Sequence, residues 1–253
     1  MPWVELPPVA RREQVLKPIT GTGQDRSIAP YHFARAALKE RTEEVSEVDE
    51  LFRTSKVKHF PSKEVIYCEN DCGNGVYLIH SGMVKLVSYL SNGRARIVRL
   101  HSDTHWFGLE GLVDQAYEHT AIAVGSTSVV FVPMSSIHLL EREHPQRYCR
   151  LLKQGYRQLA QADKWIADFS TGRIQSRVAR LISFLSELEY GDASDKVDLL
   201  TVHEMADMLG ATPESVSRVL ASFKRNDILY TQGGAVRESY GIDAQRLHFF
   251  AQQ

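Results

Sequence analysis

The sequence predicts an α+β protein: a closed or sandwiched β-domain, then one long helix, then a compact helical domain. Three observations carry the prediction. Between Val57 and Pro133, short apolar runs (VKHF, EVIY, GVYLI, MVKLVSYL, RARIVRL, TAIAV, SVVFV) alternate with turn signals, the texture of many short strands closing on one another. After Pro145 the apolar residues move to helical spacing. The stretch TVHEMADMLGATPESVSRVLASFKR, Thr201 to Arg225, then reads as two short helices with a stop and a restart between them.

Residues 1–45 hold proline pairs, the polar GTGQDRS stretch and a helix-like segment over 31–40, followed by an acidic EEVSEVDE run. They are read as a loosely attached arm. The β-domain is assigned to 46–144, and Asn92-Gly93 between two apolar runs marks a hairpin. In the segment 145–170, Tyr148, Leu152, Gly155, Leu159, Ala162, Ile166 and Phe169 alternate by four and three, the a/d spacing of a coiled coil. Such a helix of about 24 residues spans roughly 36 Å, enough for a dimer spine. The alternative is an amphipathic helix lying on its own domain. Gly155 within the seam points to close approach of another backbone.

The remaining segment, 171–253, starts with a helix over about 173–188, with Ile174, Val178, Leu181, Ile182 and Leu185 on one face, and GDASDKVD follows as a turn or loop. Thr201 and Glu204 form a capping box. Val202, Met205, Ala206 and Leu209 mark the buried face, Gly210 stops the helix, and Thr212-Pro213 restarts it as N-cap and first residue. In the second helix Val216, Val219, Leu220 and Phe223 turn inward. Glu214, Ser217, Arg218 and Ala221 stay outside, with Lys224 and Arg225 at the far end. An exposed arginine can read guanine through two hydrogen bonds and a carboxylate can accept from cytosine, while small residues let the helix enter a major groove. Thr212, Ser215 and Lys224 are placed for phosphates. An ordinary helical hairpin with a solvated face would show the same periodicity.

Bulk composition limits the partners. Thirty Lys plus Arg against 31 Asp plus Glu leave a formal net charge of -1, so any polyanion site is local. No run approaches the roughly 18 apolar residues of a membrane span, and the amino terminus lacks a signal-peptide layout; the expectation is a cytoplasmic protein with no membrane partner. Three cysteines, Cys68, Cys72 and Cys149, make no disulfide framework.

The combination of PSKEVIY, GVYLIHSGMVKL, WFGLEGL, STGRI and TPESVSRVLASFKR resembles the Crp/Fnr family of bacterial transcription regulators, over roughly residues 46–240. The resemblance implies a cyclic-nucleotide-binding-like β-barrel of jelly-roll type, a dimerisation helix and a winged helix-turn-helix, with 228–242 as the wing and Gly233-Gly234 as its turn. It implies base reading by Glu214, Ser217 and Arg218 in the Fnr manner, on a half-site resembling TTGAT rather than TGTGA, and Pro213 where the Crp branch has an arginine. The partners implied are double-stranded DNA, a second copy of the chain and RNA polymerase.

In cyclic-nucleotide-binding relatives a Gly-Glu-x-x-Leu turn holds the ribose and an Arg-Ser or Arg-Thr pair holds the phosphate. Here the matching residues are Gly108-Leu109-Glu110 and His119-Thr120, so Leu109 stands for the glutamate and His119 for the arginine. A neutral imidazole is a poor substitute for a guanidinium fork on phosphate. Gln158 and Leu159 replace small hydroxyl residues at the adenine-contacting positions. No cofactor is expected: cyclic AMP lacks its contacts, and an iron–sulfur cluster of the Fnr kind needs four thiolates. Heme stays open, with His80, His101, His105, His119 or a cysteine as ligand and no spacing that selects one. Cys68 and Cys72 flank the turn Glu69-Asn70-Asp71 as a possible redox pair; two ordinary surface thiols are the alternative. The effector is left unassigned. Two rival readings are a cAMP-responsive regulator and a cupin-like metal enzyme built on His101, His105 and Glu110.

Overall fold

The computed structural model describes residues 57–190, 194–231 and 239–253. The expected arm, the first residues of the 46–144 segment and the glycine pair of the wing lie outside them. Among the described residues, β1 (Val57–Phe60), β2 (Val65–Tyr67), β3 (Gly75–Tyr89), β4 (Ala95–His101), β5 (Trp106–Phe107) and β6 (Thr120–Pro133) form one antiparallel sheet. Its order is β1–β6–β3–β4, with β2 also on β6 and β5 on β3.

The long strand β3 shows how apolar alternation folds this sheet. Val76 and Leu78 face one side, with Trp106, Val130, Val132, Ile137 and Leu151. Tyr77 and Ile79 face the other, with Tyr67, Phe107 and Tyr117. The register against β6 then shifts between Ile79 and Ser81 and again between Ser81 and Met83. Gly82 sits there at φ 95°, and a Cβ on it would meet the Ser126 carbonyl at 2.6 Å. A bulge reverses which side each residue faces. Beyond it the even-numbered Val84 and Leu86 join the Tyr77 cluster, and Val87 turns to a third cluster. The hairpin after β3 is the one that Asn92-Gly93 predicts: Gly93 has φ 77°, and Asn92 Oδ1 accepts from the Arg94 amide at 3.0 Å.

Helix α1 (Met134–Glu143) leads into α2 (Pro145–Ser170), which begins at the proline that fixes its first turn. No helix is long and apolar enough to cross a membrane among the described residues. The second half comprises α3 (Ile174–Tyr190), β7 (Lys196–Asp198), α4 (Val202–Leu209), α5 (Pro213–Arg225), β8 (Leu229–Thr231), β9 (Ser239–Ile242) and α6 (Ala244–Ala251). The expectation of a loop over GDASDKVD is corrected at its end: Lys196–Asp198 pairs with β9 and completes a β7–β9–β8 sheet. β8 and β9 pair antiparallel, Leu229 opposite Ile242, at the two ends of the expected wing.

Arg177 and Arg180 tie the two halves together. Their guanidinium groups donate to the carbonyls of Phe169 at 2.7 Å and Asp168 at 2.6 Å, satisfying acceptors that the last turn of α2 leaves open.

Candidate nucleic-acid interface and sensor pocket

Helix α4 starts as predicted. The Thr201 hydroxyl accepts from the Glu204 amide, the Glu204 carboxylate accepts from the Thr201 amide at 3.0 Å, and Gly210 closes the helix in the left-handed region. Thr212 caps α5 by accepting from the Ser215 amide, and its hydroxyl lies 3.0 Å from the Ser215 hydroxyl. Val216, Val219, Leu220 and Phe223 are buried. Glu214, Ser217, Arg218 and Ala221 are exposed on the opposite face. The Glu214 carboxyl is held below its ordinary value, first by its own backbone amide and then by Thr212, so it stands ionised on the open face. Lys224 is exposed, and its ammonium donates to the Tyr240 hydroxyl of β9 at 2.8 Å, which braces helix against sheet. Met208, which the predicted inner face omitted, is also buried.

In the β-domain the expected pocket residues divide. Gly108 adopts φ 70°, and a Cβ there would crowd Tyr117 and Tyr77 at 3.0 and 3.3 Å. Leu109 opens the 3₁₀ turn Leu109–Val113 and packs with the Val76–Trp106 cluster, on the opposite side from the Tyr67–Tyr117 rings. Glu110, one place on, approaches His119, with 3.9 Å between Oε1 and Nδ1. Thr120 is buried and its hydroxyl accepts from the Glu69 amide at 3.1 Å, a structural duty. Stacked rings fill the interior beside them: the Tyr67 and Tyr117 centroids are 3.9 Å apart, and Phe107 stacks on Tyr77 at 5.1 Å. Gln158 points inward to the Trp106 carbonyl at 2.7 Å, whereas Leu159 points outward.

Of the histidines named for heme or metal chemistry, His101 and His105 lie side by side, ring centroids 5.9 Å apart, while His119 lies beside Glu110. His80 is exposed and His101 buried. The His105 Nδ1 accepts from the Ser102 amide at 3.2 Å. The metal-enzyme grouping of His101, His105 and Glu110 is not the one that forms: Glu110 converges with Glu118 and His119. Cys68 and Cys72 are exposed, unbonded thiols, as is Cys149. The turn between the first two is closed by the Asp71 amide on the Cys68 carbonyl at 3.1 Å.

The predicted seam also divides. Leu152, Leu159 and Ile166 are 45, 53 and 67% exposed, but Phe169 is 3% exposed. The assignment of Phe169 to the seam is therefore corrected; its ring lies 5.4 Å from Trp165 and 5.9 Å from Phe184 in the chain's own core. Gly155 has a neighbour of a different kind from the one expected: a Cβ there would meet Leu109 Cδ1 at 3.1 Å. Its missing side chain makes room for the 3₁₀ turn of the same chain. Ala162 is half-buried between the two faces.

Residues 57–144 match the cyclic nucleotide-binding domain and residues 179–240 the Crp-like helix-turn-helix domain. The transcriptional regulator LdrP of Thermus thermophilus is 30% identical over 193 residues, covering 76% of this chain and 94% of that protein. The chain belongs to the Crp/Fnr family of transcription regulators. The solved structure of FixK2 from Bradyrhizobium japonicum superposes with a TM-score of 0.69 at 26% identity, over 78% of this chain and 97% of that one. A CRP-family regulator from Thermus thermophilus gives 0.65 at 28% identity, over 78% and 97%. In this Crp/Fnr regulator, α4 and α5 lie within the matched helix-turn-helix domain and β1–β6 within the matched cyclic nucleotide-binding domain. Sequence reasoning missed Lys85 and Arg94 as contacts between the β-domain and the helix-turn-helix, because partners that far apart in sequence leave no local periodicity.

Proposed function

We propose that this regulator binds, as a homodimer, an inverted repeat resembling TTGAT-N4-ATCAA in the cytoplasm, and contacts RNA polymerase when it activates. The observation that supports this reading most directly is the outer face of α5, where Glu214, Ser217 and Arg218 stand exposed together on a helix whose start is capped. Two such helices would meet successive major grooves about 34 Å apart. Arg218 is assigned a guanine, Glu214 a cytosine amine, and the start of α5 a phosphate.

Its activity is independent of cyclic AMP, through another signal or none. Support comes from the interior: Leu109 packs into the Val76–Trp106 cluster rather than beside the Tyr67–Tyr117 stack. Fluorescence anisotropy on the duplex, at two salt concentrations and with or without cyclic AMP, tests both parts. Tight binding that weakens with salt and ignores the nucleotide is expected. The Arg218→Ala variant should lose about 1–3 kcal/mol on the specific duplex and discriminate less at one base pair of each half-site. Binding seen only with cyclic AMP would overturn the effector assignment. An Arg218→Ala variant with undiminished preference for the specific over a scrambled duplex would overturn the reading helix.

A further inference from the structure

We propose that Glu110, Glu118 and His119 form a binding site for a divalent transition-metal ion on the sensor domain. One donor atom from each lies within 4.8 Å of those of the other two. Glu110 belongs to the 3₁₀ turn Leu109–Val113, while Glu118 and His119 immediately precede β6, so the site joins two separate segments. Zinc-type bonds of about 2.0–2.2 Å set tetrahedral donors roughly 3.4 Å apart. The 3.9 Å between Glu110 Oε1 and His119 Nδ1 needs only a small contraction to reach that value, and Glu118, which is exposed, is free to swing in.

Two polar atoms at this place are left without partners. The His119 Nδ1 is buried and makes no hydrogen bond; at 3.9 Å the Glu110 carboxylate is too distant to supply one. The Tyr67 hydroxyl is likewise buried and unpartnered, on a residue only 5% exposed. Of the charges acting on that hydroxyl, Glu110 is the strongest. Buried polar groups with no partner are uncommon and call for a cause. An ion would take the His119 nitrogen as a ligand, and a water bound to the ion would give the Tyr67 hydroxyl its partner.

The donor set selects the class of ion. One imidazole nitrogen and two carboxylate oxygens suit zinc, manganese or iron(II), whereas magnesium and calcium favour oxygen alone. Two carboxylates balance a divalent charge, and the binding must outweigh the repulsion of Arg99, which acts on Glu110 from β4. Next to Glu110 in the same turn, Leu109 occupies the space a side chain on Gly155 of α2 would take, so an ion that fixes the turn would also fix what lies beside α2. The site stands independently of which DNA sequence the regulator reads.

The full-length protein, stripped with chelator, is titrated with Co2+ and followed by its visible absorption, then with Zn2+ in competition with a chromophoric chelator. Uptake of one ion per chain is expected, with Zn2+ displacing Co2+ and Mg2+ failing to compete. The variants Glu110→Gln, Glu118→Gln and His119→Gln should each weaken Zn2+ by tenfold or more, on the scale of losing a metal-site group. Circular dichroism checks their folding, and the exposed Glu118→Gln serves if the two less exposed variants unfold. No uptake by the wild type below millimolar metal would overturn the proposal. So would uptake that Glu118→Gln leaves unchanged, because the ion would then sit elsewhere.

Discussion

His101 is 3% exposed, and its Nδ1 has no hydrogen-bond partner. Burial first, then His105 and Arg99, hold its pKa well below the usual histidine value, so it stays neutral in the fold. The sign of the linkage follows. The unfolded chain binds a proton at this residue below about pH 6.5 and the folded chain does not, so stability falls as the pH drops through that value. For one group the slope approaches about 1.4 kcal/mol per pH unit. Phe107 stacks near the imidazole, centroids 6.4 Å apart, which makes His101→Phe a shape-tolerant replacement. That variant should show a flatter stability profile between about pH 6.5 and 5 in urea unfolding; an unaltered slope would mean that His101 is protonated in the fold. No sequence pattern announces such a residue, since its burial is fixed by sheet pairing far along the chain.

At the scale of elements, α2 carries two parallel rows, each repeating by sevens and offset by one residue. Leu151, Gln158 and Trp165 face the chain's own core, and Leu152, Leu159 and Ile166 face outward. The sequence shows the heptad plainly because the outward row is apolar. It cannot tell where the row ends: Phe169 continues the spacing but turns into the core, where Arg177 and Arg180 hold the end of α2. The capping box, the Gly210 stop and the Thr212 restart were legible because each depends on residues a few positions apart. Strand β7 was not, since three residues without alternation carry no signal and only pairing with β9 makes them a strand. Helix α6 had a legible start that the reading passed over, Asp243 accepting from the Arg246 amide. If the outward row is the dimer seam, Leu159→Glu with Ile166→Glu sets like charges across it and should give a monomer in sedimentation. Both side chains are more than half exposed, so the melting temperature of the monomer fold should hardly change. A double variant that remains dimeric would remove α2 as the spine.

On the scale of the whole molecule, the β-domain and the helix-turn-helix half are not merely tethered. Val87, Ile97 and Leu100 of the β-domain share one apolar cluster with Met205, Met208 and Leu209 of α4. At its edge Arg94 donates to the Ala211 carbonyl at 3.5 Å and Lys85 pairs with Glu204 at 2.7 Å. Glu204 therefore has two duties. One oxygen caps α4 through Thr201 and the other reaches across to the sensor. Burial works to raise its carboxyl, but Lys85 and Thr201 outweigh burial and hold it below the ordinary value. A depressed carboxyl contributes stability that is present above the unfolded value near pH 4.5 and lost as the pH falls through the folded value. Lys85 and Glu204 are only 14 and 16% exposed, so the pair should exceed the worth of a surface ion pair. A double-mutant cycle with Lys85→Met and Glu204→Gln should give a coupling of about 1–3 kcal/mol at neutral pH, read from urea unfolding, and almost none once Glu204 is protonated. Since the glutamine keeps a side-chain oxygen for the Thr201 amide, the cap survives and the cycle isolates the contact between domains. A coupling near zero at neutral pH would leave the shared apolar cluster, rather than the ion pair, as what holds the reading domain to the sensor.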